Sequence, residues 1–85
     1  MTAEEMFKEL GYDKDEFLSG KNSPCYVKLR SGVFLHYDKK KIFFNDKHQS
    51  VYCNCYFNGK YDVCPLCVDE IEAINKQIEE LGWDK

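Results

Sequence analysis

The chain has 85 residues and a mass of 10.0 kDa, the size of one small domain, which excludes a two-domain enzyme. It is 44% hydrophobic and 15% aromatic, so it has enough apolar material to fold, and intrinsic disorder is not expected. A net charge of −3 disfavours general attraction to the phosphates of nucleic acids without excluding it.

A short helix is predicted near the start, over roughly residues 3–10. Thr2 and Glu5 have the spacing of a capping box, in which each side chain accepts a hydrogen bond from a backbone amide at the helix start. Apolar residues at helical spacing follow, and Gly11 ends the helix. Because so short a helix is not stable alone in water, its apolar face must pack on the rest of the chain.

The middle of the chain alternates with a period of two, which is typical of antiparallel strands. The Asn58-Gly59 pair is the strongest hairpin signal and predicts that the chain turns back along the preceding strand. The predicted segments are a connection over residues 12–24, a hairpin over 25–37, a polar turn over 38–41, a short strand over 42–44, a strand over 49–57 and its return over 61–64.

An amphipathic helix of about sixteen residues is predicted from Pro65 to a stop at Gly82. Its predicted buried stripe is Val68, Ile71, Ile74, Ile78 and Leu81, and its water-facing set is Glu72, Lys76, Gln77, Glu79 and Glu80. The order of elements predicts an α+β fold: a short N-terminal helix, a three- to four-stranded antiparallel meander, and a C-terminal amphipathic helix packed on the sheet.

Four of the five cysteines lie within fifteen residues, and the predicted hairpin brings them together. A two-residue turn at the Asn-Gly pair places Cys53 opposite Cys64. Cys55 shares a strand face with Cys53 because side chains alternate along a strand, and Cys67 follows Cys64 within one turn. Four sulfurs can therefore approach one point in the segment 53–67.

A zinc ion bound by Cys53, Cys55, Cys64 and Cys67 fits this arrangement, since Zn²⁺ takes four thiolates at about 2.3 Å and a closed tetrahedral site is structural. The first ten residues carry three glutamates and no apolar signal-peptide region, which predicts a reducing, cytoplasmic compartment. In a reducing compartment, cysteines are expected to bind metal or do redox chemistry rather than to form a disulfide framework. His48 is an alternative ligand if Cys55 faces elsewhere.

Two other interpretations of the cysteines stay open. They could be small buried apolar residues, as could Cys25, because free cysteine is often buried. Alternatively, Cys64-Pro65-Leu66-Cys67 opens a helix, whose dipole lowers a thiol pKa, and the motif is similar to the active-site pattern of glutaredoxins. That family places its motif after the first strand of a βαβ unit, whereas only eighteen residues follow Cys67 here.

Two further features predict contacts with partners. Lys39-Lys40-Lys41 could bind phosphate while strand aromatics stack on bases, although lysines at a turn are more often simply solvated. The outward strand faces are expected to carry Tyr26, Phe34, Tyr52 and Tyr56. That is more aromatic surface than a monomer needs, so it predicts a protein partner or a second copy of the chain.

The sequence contains no G-x-S-x-G, P-loop or H-E-x-x-H motif, and no carboxylate pair that the pattern forces into a cleft. We therefore expect a protein that is not an enzyme. Nor does it contain a run of about 18 apolar residues, so no membrane span is expected.

The segments Met1–Tyr12 and Ala73–Trp83 resemble small uncharacterised proteins carried by phages and prophages of low-GC Gram-positive bacteria. The resemblance covers about a quarter of the chain and implies an N-terminal helix, an antiparallel meander and a C-terminal helix. That family has no established activity, so the resemblance implies an origin and a layout but no chemistry. Its members enter the final helix through a Ser or Thr cap, where this chain has the cysteine motif.

The sequence therefore predicts one α+β domain over residues 1–85 with a zinc-binding hairpin and knuckle at 53–67. The expected function is that of a non-enzymatic, phage- or prophage-derived binding module that contacts a host or phage protein inside the bacterial cell. A nucleic-acid-binding accessory protein is the alternative, and a thiol-disulfide protein using Cys64 and Cys67 is the third candidate.

Overall fold

The computed structural model describes residues 1–20, 22–29, 39–57, 60–62 and 64–83. Two helices pack on one face of an antiparallel meander whose strands follow one another in chain order, β1-β2-β3-β4-β5, so the predicted α+β fold is confirmed. The elements are α1 (Ala3–Glu9), β1 (Asp13–Lys14), β2 (Cys25–Leu29), β3 (Lys39–Asn45), β4 (Ser50–Phe57), β5 (Lys60–Asp62) and α2 (Val68–Leu81).

The first helix begins and ends close to the predicted positions, and α2 ends before Gly82 as predicted, but α2 begins at Val68, three residues after the predicted start at Pro65. The Thr2 hydroxyl accepts from the Glu5 amide at 3.1 Å, and the Glu5 carboxylate accepts from the Thr2 amide at 2.8 Å, which is the predicted capping box. Gly11 (φ 94°) and Gly82 (φ 71°) follow the helices in the left-handed region that favours glycine. No helix in the described part of the chain is long and apolar enough to cross a membrane.

The lysine segment was predicted as a turn, and that prediction is wrong. Lys39, Lys40 and Lys41 are the first residues of β3, which pairs directly with β2 through Lys40 opposite Lys28 and Lys41 opposite Val27. Three consecutive lysines are typical of a solvated turn, but here they extend the strand that continues through the apolar residues after them, with side chains alternating between the two faces of the sheet. The predicted strand over residues 33–37 lies outside the described residues, as does Phe34.

One face of the sheet, called the covered face here, packs against both helices. Phe7 of α1 stacks on Tyr26 of β2 with ring centroids 4.1 Å apart, and Phe44 of β3 contacts Phe7 and Trp83 edge-on or tilted. Tyr26 was predicted to face outward, but it is buried because the strand phase puts it beside Ile42. The buried core is Phe7, Tyr12, Tyr26, Ile42, Phe44, Ala73, Ile74 and Trp83.

The buried face of α2 differs from the predicted stripe. Val68 and Ile71 are exposed, while Gln77, predicted to face water, is buried. Gln77 is tolerated in the interior because its Oε1 accepts a hydrogen bond from the buried Tyr26 hydroxyl. Burial also raises the pKa of that hydroxyl, so it stays protonated and keeps donating. The helix is therefore rotated so that polar side chains meet polar groups of the sheet.

Candidate functional site

The β4–β5 hairpin has the register predicted from the Asn-Gly pair. Phe57 lies opposite Lys60 and Cys55 opposite Asp62, and the same register places Cys53 beside Cys64. Their sulfurs form a disulfide, with the Cα atoms 6.2 Å apart. The sequence thus predicted that these two cysteines meet, but it did not predict the bond between them.

The other three cysteines are not disulfide-bonded and lie in different environments. Cys55 is buried opposite Lys40 of β3, Cys67 is exposed immediately before α2, and Cys25 is buried at the start of β2. Burial raises the pKa of the Cys25 thiol, which fits the predicted packing role. Across the described ranges, no group of three or more His, Cys, Asp or Glu side chains is placed to hold a metal, and zinc binding stays a prediction.

His48, the alternative metal ligand, lies in the turn between β3 and β4. It is exposed, and its backbone amide donates to Asn45 Oδ1 at 3.3 Å. This hydrogen bond holds the backbone of His48 in the turn and does not involve its imidazole ring.

A buried ion pair, which sequence reasoning missed, connects β3 to α2. Lys40 is only 5% exposed, and its ammonium lies 3.0 Å from Glu70 Oε2 and 3.1 Å from Oε1 and also donates to the Pro65 carbonyl. The Tyr12 hydroxyl and the Cys67 amide donate to the same carboxylate. Each charged group is thus paired, which burial requires.

This network lowers the pKa of the Glu70 carboxyl to about 2. Burial alone raises that pKa, but hydrogen bonds from Tyr12, the Cys67 amide and Lys40, together with the lysine charge, outweigh it. The Pro65 carbonyl and the Cys67 amide are both held, so the network fixes the Cys64-to-Cys67 segment against the sheet. A sequence signal existed: Lys40 has the same strand phase as Ile42 and Phe44.

The opposite side of the sheet, called the open face here, has no described helix packed on it. Phe43 of β3 and Tyr52 of β4 stack with centroids 6.4 Å apart, while the Lys39 and Lys41 ammonium groups lie 5.8 Å and 5.9 Å from the Tyr56 ring centre. A shallow cavity of about 440 Å³ opens beside them, lined by Leu18, Cys25, Lys41, Phe43, Asn45, Tyr52 and Asn54.

A second concave surface, called the helix groove here, lies between α1 and α2. It has a volume of about 370 Å³ and is lined by Met1, Met6, Glu9, Leu10, Asp69 and Glu72. Its apolar lining includes both methionines of the chain, and its charged side chains are all acidic. Val68 lies one helical turn before Glu72, so exposed apolar surface continues from the groove along α2.

Comparisons of the chain with protein-family models, with curated proteins and with solved structures found no match.

Proposed function

We propose that this chain is a non-enzymatic binding module of phage or prophage origin that acts inside a bacterial host cell. Its partner is a host or phage protein, and the helix groove holds a basic, apolar segment of that partner. The observation that carries this proposal is the combination of methionine side chains with a rim whose charged side chains are all acidic.

The groove has the chemistry of a peptide-binding surface. Met1, Met6 and Leu10 provide flexible apolar side chains that can adapt to a partner. Glu9, Asp69 and Glu72 provide negative charge around them. A basic amphipathic helix matches both properties, because its apolar stripe can enter the groove while its lysines or arginines face the rim.

Exposed apolar residues on α2 extend this surface. Val68 is 68% exposed and Ile71 is 44% exposed, although both belong to the apolar stripe of the helix. They lie on one side of its first turns, three residues apart, and Leu66 is also exposed just before the helix. An apolar stripe without a described partner inside the fold supports a contact with another protein.

The helix-groove proposal is tested with two synthetic peptides of equal length, a lysine-leucine amphipathic helix and its glutamate-leucine counterpart. Labelling the methionine methyl groups with ¹³C gives one NMR signal for Met1 and one for Met6, both inside the groove. We expect the basic peptide to shift both signals in a saturable way and the acidic peptide to shift neither.

A charge reversal in the rim provides the matched control. Glu72→Lys is expected to weaken basic-peptide binding by about tenfold or more, since it replaces an attractive charge by a repulsive one. Glu16→Lys makes the same charge change in an exposed loop outside the groove and is expected to leave binding within about twofold. Unshifted methyl signals, or equal effects of the two substitutions, would overturn the proposal.

We further propose that the reduced protein binds one structural Zn²⁺ through Cys53, Cys55, Cys64 and Cys67. The adjacency of Cys53 and Cys64, the shared strand face of Cys55 and the short step to Cys67 support it. The disulfide and the zinc site are alternative states of the same two sulfurs, since only thiolates coordinate zinc.

Elemental analysis tests the zinc proposal directly. Protein purified without added metal or chelator is expected to contain one zinc per chain under reducing conditions and none after oxidation. Reduced protein without zinc would overturn the proposal, and Cys25→Ser serves as the control substitution because Cys25 lies outside the cluster.

A further inference from the structure

The open face differs from the rest of the surface in its charge. Both helices carry far more acidic than basic side chains, whereas the described strand residues of the open face include Lys39 and Lys41, with Asp13 at the edge of the sheet. Among the described residues, the two helices therefore carry a large excess of negative charge. Lys39 and Lys41 thus supply positive charge on the open face despite the overall charge of −3.

Aromatic side chains lie next to these lysines. Tyr52 is 46% exposed and stacks against Phe43, so one side of this pair continues into open solvent. Tyr56 lies within reach of both ammonium groups. An exposed aromatic ring beside cations can stack on a base while the cations contact the neighbouring phosphates.

The cavity on this face adds hydrogen-bonding groups. Asn45 and Asn54 line it together with Lys41 and Tyr52, and its volume of about 440 Å³ falls within the range of small-ligand sites, about 300–1,000 Å³. Side-chain amides offer both donors and acceptors, which match the edges of an unpaired base. A duplex hides its bases within the stack, so the arrangement favours single strands.

We infer that the open face binds single-stranded nucleic acid, with bases stacked on Tyr52 and Tyr56, phosphates on Lys39 and Lys41, and one base in the cavity beside Asn45 and Asn54. This inference goes beyond the proposed function, because it assigns a second class of ligand to a surface separate from the helix groove.

Salt dependence gives a quantitative expectation. Two phosphate contacts to a single strand predict that the logarithm of the binding constant falls with the logarithm of salt concentration with a slope of about −1.4. The affinity is therefore expected to drop about sevenfold between 50 and 200 mM salt. Lys41→Gln is expected to reduce the slope by about 0.7, since it removes one contact.

The experiment measures fluorescence anisotropy of a labelled oligothymidylate with the full chain. Tyr52→Ala is expected to weaken binding about 5- to 150-fold through lost stacking, whereas Tyr52→Phe keeps the ring and should bind within about twofold. Lys8→Gln on α1 makes the same charge change as Lys41→Gln at an exposed site on the helical side, and it should leave both affinity and slope unchanged.

Three competing results would overturn the inference. They are equal affinity for a duplex of the same sequence, binding of oligoglutamate with the same sensitivity to Tyr52→Ala, and no salt-dependent binding of the oligonucleotide at all. The methionine methyl signals separate this inference from the proposed function, since nucleic acid on the open face should leave them unshifted.

Discussion

Lys39, Lys40 and Lys41 are consecutive on β3, yet the side chain of Lys40 lies on one side of the sheet and those of its two neighbours lie on the other. Lys40 is buried against Glu70, whereas Lys39 and Lys41 lie over the Tyr56 ring on the open face. The same residue type is therefore part of the folded interior in one position and part of the open face in the next. The lysines are divided in this way because successive side chains of a strand point to opposite faces of the sheet.

The comparison shows what burial of a charge requires. On the covered face the buried Lys40, Glu70 and Gln77 all have hydrogen-bond partners, and no buried polar side-chain atom of the described residues lacks one. On the open face Lys39 and Lys41 are partly exposed and lie over the Tyr56 ring, a contact that each can exchange for a ligand. Stability and binding are thus expected to respond to different lysines.

Removing Lys40 is expected to have the largest effect. Lys40→Met leaves the Glu70 carboxylate buried without its cation, so we expect a loss of about 3–5 kcal/mol in the free energy of unfolding. Lys39→Met and Lys41→Met are expected to change it by about 0.5 kcal/mol or less. Urea denaturation of the three variants measures this, and adding Glu70→Gln to Lys40→Met should recover part of the loss. Equal losses for all three lysines would contradict the division between the faces.

The pH dependence of stability isolates the same ion pair. The pKa of Glu70 is about 2 in the folded protein against 4.5 for an unperturbed carboxyl. A depressed folded pKa contributes stability that is present above the unfolded value and lost as the pH falls toward the folded value. We expect a loss of about 3 kcal/mol between about pH 4.5 and 2, measured by denaturation at each pH. Glu70→Gln should lack this component, and an unchanged pH profile in that variant would argue against the network.

The disulfide is expected to contribute less than the ion pair. Cys53 and Cys64 are separated by 11 positions, and closing a loop of this size stabilises a chain by about 2–3 kcal/mol. The Cys53→Ala, Cys64→Ala double variant is expected to lose about that amount under oxidising conditions. Under reducing conditions without metal, it should match the wild type to within about 1 kcal/mol. If the double variant is still less stable than the wild type under reducing conditions, the stability comes from packing of the two cysteine side chains and not from the cross-link.

The smallest expected differences in stability are those of two tyrosine substitutions on opposite faces of the sheet. Tyr26→Phe removes the hydroxyl that donates to buried Gln77, so we expect a cost of about 1–2 kcal/mol. Tyr52→Phe removes an exposed hydroxyl and is expected to change stability by less than about 0.5 kcal/mol. Thermal denaturation of both variants checks this, and equal costs would show that the covered face does not depend on its buried hydroxyl.

Local patterns in the sequence were enough to predict the order of helix, antiparallel strands and helix, the cap of the first helix and the hairpin register. They did not predict β1, the start of β3 at Lys39 or the start of α2 at Val68. The Thr2–Glu5 capping box and the Asn-Gly pair are short patterns of residues close together in the chain, so they can be recognised without knowing the fold. Asn58 and Gly59 themselves lie outside the described residues. The hairpin register alone places Cys53 beside Cys64.

The assignment of faces could not be predicted in the same way. Burial of Lys40 depends on Glu70, thirty residues later, and burial of Tyr26 depends on Gln77 at a still larger separation. A hydropathy pattern classifies each of these four residues by its own polarity, so it places the polar ones in water. Once each polar group has a partner, the helix can rotate to bury Gln77 and expose Val68 and Ile71.

Labelling of lysine amines in the folded protein tests the central division most directly. Brief treatment with a limiting amount of acetic anhydride, followed by fragmentation mass spectrometry, gives a separate modification rate for each lysine. We predict that Lys39 and Lys41 react at rates close to that of exposed Lys47, while Lys40 reacts at least tenfold more slowly because its ammonium is buried and paired. Comparable rates for all three consecutive lysines would contradict the account.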